Sequence, residues 1–295
     1  MARVGALGAG PRLDSALSTR SASHSLGGRR ALAALALCLA ACSSPERELE
    51  RWRADLPPSR PVAERPSVDE ELATLRARRG RGDLAGARDV ALQLAVERPA
   101  DPDVLHLASR AESDTLLLLR GQGREQRDRA AWSALDYARR AAAGAGDPAI
   151  RAQLAWALGS ATHLQPMFSR AGHAARTLEE IEAVLAQEPE QVRALATRAV
   201  LELRLSTLPW IADLFAFGAP EASLEGAEAT ARRCVELRPS RETRLILAKV
   251  LLARGEEGAA RDVLTAARAA PARYPRDRAL EPEITELLDG LGVVP

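Results

Sequence analysis

One spacing of residues constrains this chain more than anything else in it. Gly82 is followed by Ala87, by Val90-Ala91, by Leu94-Ala95 and by Pro99. The same offsets return as Gly255, Ala260, Val263-Leu264 and Ala267, with Pro271 one residue early. A partial copy runs Ala227, Ala231, Cys234 and Pro239. Around the first copy the helix signals are explicit. Ser67 with Glu70 is a capping-box pair. Val68, Leu72 and Leu75 then share a helical face, and Gly80 stops the helix. A second helix over Leu84 to Glu97 ends before Pro99.

This pattern resembles the second half of a tetratricopeptide repeat (TPR). The resemblance implies that the glycine turns the chain between two antiparallel helices. It also implies that the small residue sits where they cross closely, and that the proline closes the unit. Each such hairpin has an apolar face it cannot bury alone, so neighbours stack. Asp101–Arg120, Glu125–Ala143, Pro148–Leu164, Ala171–Gln187 and Glu190–Ser206 read as further helices, with turns at Gly121-Gln122-Gly123 and Gly144-Ala145-Gly146. Leu245–Ala253 is apolar almost all round apart from Lys249, as suits a helix packed on both sides. Glu257 and Arg261 are spaced for an exposed (i, i+4) ion pair. Ile284–Leu288, behind Pro282, reads as a terminal helix. Composition agrees: with 46% hydrophobic and 3% aromatic residues, alanine and leucine dominate, and neither loses much side-chain entropy in a helix. The expected fold is all-α, a right-handed superhelical α-solenoid of stacked antiparallel helix pairs over 67–295.

The N-terminal stretch carries a different signal. Arg29-Arg30 precede an apolar run, Ala31–Ala41, that ends Leu39-Ala40-Ala41-Cys42-Ser43. Such a run is a secretory signal, too short to span a bilayer core of ~30 Å. Leu-Ala-Ala-Cys resembles the lipobox of bacterial lipoproteins. That resemblance implies cleavage of 1–41 as a signal peptide, lipidation at Cys42 and, with serine next, sorting to the outer membrane on its periplasmic side. The roughly 28 residues ahead of Arg29 are long for such a leader: either the true start lies further downstream or the stretch is an unusual extension. Residues 42–66 are rich in proline, arginine and glutamate and read as a tether without a core of its own. The N-terminal region as a whole is expected to be disordered.

Candidate sites are few. Leu208–Gly218 holds Trp210, Phe215 and Phe217 in a chain poor in aromatics. It is either a pocket for a partner or a plug packed as core. Trp156, Phe168 and Arg244 are the other candidates for partner or ligand contact. His163 and His173 flank Gln165–Phe168 at a spacing too wide for a metal pair. His106 is a lone packing or surface residue. Glu179, Glu180 and Glu182 read as a charged helix face. Cys234 falls where the repeat wants a small residue. Gly121-x-Gly123 follows a helix and lacks a third glycine, so it is no nucleotide loop. No catalytic set, metal site or cofactor motif is present.

Net charge is +1, with no excess to drive nucleic-acid binding. The partner is expected to be a protein or peptide, with the membrane reached through the N-terminal lipid and self-association open. The function expected is a lipid-anchored periplasmic adaptor in an envelope assembly. The alternative resembles the T-component lipoproteins of TRAP transporters, which implies an accessory that binds a small solute or a solute-binding protein. A ligand-sized cavity lined by Trp156, Phe168 and Trp210 would favour the alternative.

Overall fold

The computed structural model describes residues 50, 53–54, 56–61, 66–165, 169–207 and 222–292. Leu49–Pro295 forms one compact unit; Met1–Glu48, with Cys42, lies outside the described residues. Eleven α-helices run through the described residues: α1 Val68–Gly80, α2 Leu84–Glu97, α3 Pro102–Leu118, α4 Arg124–Gly144, α5 Pro148–Ala161, α6 Arg170–Leu185, α7 Val192–Ser206, α8 Leu224–Leu237, α9 Arg241–Ala253, α10 Glu257–Ala269 and α11 Glu281–Gly290. A 3₁₀ turn at Thr162–Leu164 tightens the end of α5. The boundaries fall within a few residues of the spacing-based expectation, and no described residue lies in a strand.

The caps are those the sequence announces. Ser67 and Glu70 form a complete capping box on α1. Asp83, Asp101 and Asp147 each accept from backbone N–H groups opening α2, α3 and α5, satisfying donors that have no partner inside the helix. Gly82 turns α1 into α2 at φ +79°, a conformation in which other residues are strained. A Cβ there would also sit 3.2 Å from the Arg278 side chain.

The helices pair as hairpins, α1/α2 through α9/α10, and α11 covers the last one. From the second pair onward the first helices also meet one another, α3 with α5, α5 with α7 and α7 with α9. These first helices therefore line one side of the stack and the second helices the other. Alanine makes the close spacing possible: Ala91, Ala108, Ala134, Ala157, Ala199, Ala231 and Ala260 are all fully or almost fully buried. Cys234 shares that environment, with burial pushing its thiol up to about 12. It behaves as the small apolar residue the repeat position calls for.

Three features differ from expectation or add to it. Arg261 donates to the Leu291 carbonyl at 3.0 Å, fastening α10 to the end of α11 in place of the expected pair with Glu257. Glu180 is held by Arg151 at 2.9 Å, which fixes one of the three glutamates of α6 as a bridge to α5. Part of the 42–66 stretch is tied to the helices. Arg60 bonds Glu97 and Glu71, the Pro58 carbonyl accepts from Gln93, and Leu56 packs on the first core cluster.

Because α8 packs between α7 and α9, Ala231→Leu is expected to cost about 1–3 kcal/mol by overpacking. Ala85→Leu, on the exposed side of α2, should stay within about 0.5 kcal/mol. Urea unfolding followed by helical circular dichroism measures both.

Candidate functional site

The stack closes on itself. The Arg278 guanidinium donates to the Arg81 carbonyl at 2.7 Å, 197 positions away in the chain. Arg120, just past α3, pairs with Glu283 and Glu286 of α11 at 2.9 and 2.7 Å. Leu117 packs against the apolar cluster that holds Ile284 and Leu288. The inner helices, the start of α4 and α11 thereby frame a half-open cavity of about 460 Å³. Leu116, Val200, Leu203 and Ile246 supply apolar wall, and Trp156 supplies the aromatic surface. Lys249, the one break in the apolar run of α9, lines the cavity and pairs with Glu283 at 2.6 Å.

At one end of the cavity lies a buried charge network. Asp114, 1% exposed, accepts two hydrogen bonds from Arg79, at 2.7 and 3.1 Å. Its other oxygen lies 3.3 Å from the Arg276 guanidinium, which also bonds Glu242. Arg238 approaches Glu242 at 3.8 Å. The network thus joins α1, α3, the α10–α11 connection and α9. Such a chain holds because each charge taken out of water faces an opposite one.

Trp156 carries two arginines on its ring. Arg193 lies 4.7 Å and Arg276 5.0 Å from the ring centre. Each contact contributes about 0.5–2 kcal/mol, more where water is excluded. Arg193 and Arg110 differ from the other arginines here. Neither side chain has a carboxylate partner among the described residues. The Nε of both, and Nη2 of Arg193, are shut off from solvent without a hydrogen bond. Burial pushes the Arg110 guanidinium down to about 10; neighbouring Arg79 and Arg276 push the same way, and Asp114 and Glu242 oppose them. Burial, then the charges of Arg110 and Arg276, drive Arg193 well below its ordinary value. His106, one turn before Arg110 on α3, is pushed down to about 3 by burial and then by Arg110 and Arg193. It is a neutral ring at physiological pH, and its Nδ1 has no partner. The Trp156 indole N–H is likewise unsatisfied.

Of the residues singled out from sequence, Trp156 stands in the cavity wall. Arg244 sits on α9 and donates to the Pro239 carbonyl at 3.0 Å, away from the lining. Phe168, Trp210, Phe215 and Phe217 lie outside the described residues. His163 bonds the Ser160 carbonyl and Asp128, and His173 lies beside Arg139 and Arg176, so the two serve separate surroundings. Among the described residues no group of three or more histidine, cysteine or acidic side chains could hold a metal ion, and no helix is long and apolar enough to cross a membrane. Sequence reasoning missed Arg110, Arg193, Arg276, Asp114 and Glu242. The available signal was a helical one: Arg110 and Asp114 are four apart on a face that also carries His106, an unusual polar stripe on an inner helix.

Comparison with known proteins agrees with this architecture. The sequence model of the family described as "Regulator of microtubule dynamics protein 1-3" matches residues 75–292. Among solved structures, the chain is similar to a thermophilic TPR protein of Thermus thermophilus. That likeness has a TM-score of 0.55 and 16% identity, and covers 75% of this chain and 99% of that one. At this identity it speaks for the fold alone. No curated protein matches the chain.

Asp114→Ala leaves Arg79 without its carboxylate and Arg276 with only Glu242. It is expected to destabilise the fold by about 3–5 kcal/mol, the range for breaking a buried pair from one side. Chemical denaturation against wild type measures this, and a loss under about 1 kcal/mol, the scale of an exposed ion pair, would show that the network does not hold the closure.

Proposed function

The chain belongs to the family described as regulator of microtubule dynamics protein 1-3, and from that premise we propose that it is a non-catalytic adaptor which holds a segment of a partner protein against its inner face. The observation that carries the reading is the lumen itself. Apolar side chains from α3, α7 and α9, the Trp156 ring and the Arg276 guanidinium stacked on it face one half-open cavity. Stacked hairpins create such a surface because each adds one inner helix at a constant offset. Aromatic and arginine side chains are the groups that carry most of the energy in protein interfaces.

The lipobox-like run ending at Cys42 supports a location for this adaptor: anchored by lipid to the outer membrane and working in an envelope assembly. The family's description supports another partner class, a component of a cytoskeletal filament. The cavity's size, about 460 Å³, is within the range of small-molecule sites and supports the alternative of a TRAP T-component-like accessory that takes a small solute.

Placing a photoreactive amino acid at Ser160, half-buried in the cavity wall, tests the adaptor reading against a control at exposed Ala85 on α2. Irradiation in cells is expected to give a polypeptide adduct from position 160 and none from position 85. Equal labelling from both, or none from position 160, would overturn it. For the anchor, Cys42→Ser is expected to abolish metabolic labelling with radioactive palmitate and to release the chain from washed membranes. Retention with full labelling would remove the lipoprotein assignment.

A further inference from the structure

The stretch from Arg53 to Arg60 lies against α2 and α4, the second helices of the first two hairpins. Arg53 donates to Asp136 of α4 at 2.6 Å. Arg60 bonds Glu97 of α2 at 2.7 Å and Glu71 of α1, and its backbone N–H also donates to Glu97 at 3.2 Å. Between the two arginines the Pro58 carbonyl accepts from Gln93 of α2 at 3.2 Å. Leu56 packs on the core cluster to which Leu92 and Ala95 of α2 and Tyr137 and Ala141 of α4 belong. None of these residues lines the cavity.

This stretch is held in the manner of a bound peptide. Leu56 alone among its described residues joins the core cluster, and most of the remaining recognition is charge. Pro57 and Pro58 fix their own φ and favour an extended chain, so docking costs little conformational freedom. The receiving surface supplies three carboxylates, Glu71, Glu97 and Asp136. The side chains of Glu71 and Glu97 are only 10% and 2% exposed. The hydrogen bond from Arg60 holds the Glu97 carboxyl down to about 2, against the burial that opposes it. The grip is looser at the other end. Arg53 stays half exposed, and Asp136 is shared with Arg140 at 3.5 Å, so water and salt weaken that pair.

We propose that this surface of α1, α2 and α4 is a second docking site, for an extended segment of another protein that carries an apolar residue and a proline pair between two arginines, and that residues 53–60 occupy it as an autoinhibitory strap. The chemistry of the partner follows from the occupant already seated there. Two guanidiniums match the acids at either end, an apolar side chain fills the notch at Leu56, and prolines keep the chain extended. Because it is tethered, the strap competes at an effective concentration on the order of millimolar. A partner therefore enters only when the strap is withdrawn. The proposal stands apart from the adaptor reading, which concerns the inner face.

The test uses the full chain with and without Arg53→Glu and Arg60→Glu together, which set the strap's charge against its own carboxylates. The probe is a fluorescent peptide with capped ends and the sequence of residues 53–61, Arg-Ala-Asp-Leu-Pro-Pro-Ser-Arg-Pro, followed by anisotropy. The released chain is expected to bind it roughly tenfold or more tightly than wild type. Adding Glu97→Gln to the released chain, or replacing both peptide arginines by glutamine, should each weaken binding by about tenfold or more. Equal binding to wild type and to the released chain would overturn the autoinhibition. No binding to a released chain that keeps its helical circular dichroism would overturn the docking site and leave the strap a structural cover. If the double charge reversal unfolds the chain, Arg53→Gln with Leu56→Ala loosens the strap while keeping the Arg60 bonds. It is expected to admit the peptide more tightly than wild type, and failure to do so is equally decisive. A wild-type dimer that the peptide dissociates would overturn the assignment to another protein, since the strap would then be exchanged between copies.

Discussion

Asp114 is the residue on which the closed arrangement of helices turns. It is shut off from solvent on α3, in a stack whose core is mostly alanine and leucine, and it draws in Arg79 from α1 and Arg276 from the α10–α11 connection. Neighbouring hairpins would stack without it, since their apolar faces alone require that. The meeting of the two ends is a different matter. It is made by side chains, Arg278 on the Arg81 carbonyl and Arg120 on Glu283 and Glu286, and several of these are partly exposed, where an ion pair contributes about 1 kcal/mol or less. The buried pair supplies what the exposed ones cannot. Removing either side of it would strand a charge in a poorly solvating interior.

That dependence explains why the repeat was legible in the sequence and the closure was not. Gly82, Ala87, Ala91 and Pro99 advertise a hairpin because turn, crossing and stop each demand a residue type at a fixed offset, and the structure places α1 and α2 on those signals. Capping residues did the same for α3 and α5. Closure depends on residues nearly two hundred positions apart whose types are common in this chain. Arginine is spread along its whole length, so nothing marks Arg276 as buried or Arg193 as unpaired. Trp156 was legible because aromatics are rare here. Its arginine neighbours became visible only once α5, α7 and the α10–α11 connection were brought together.

The pairing in the network also separates directly paired from unpaired arginines. Arg79 and Arg276 have carboxylates at ion-pair distance, and their burial is offset inside the fold. Arg110 and Arg193 have no carboxylate at ion-pair distance; burial opposes the charge of both, while Asp114 and Glu242 favour it from further away. Arg193 instead lies over the Trp156 ring, 4.7 Å from its centre, so the aromatic face supplies part of the attraction that a directly paired carboxylate supplies elsewhere in the network.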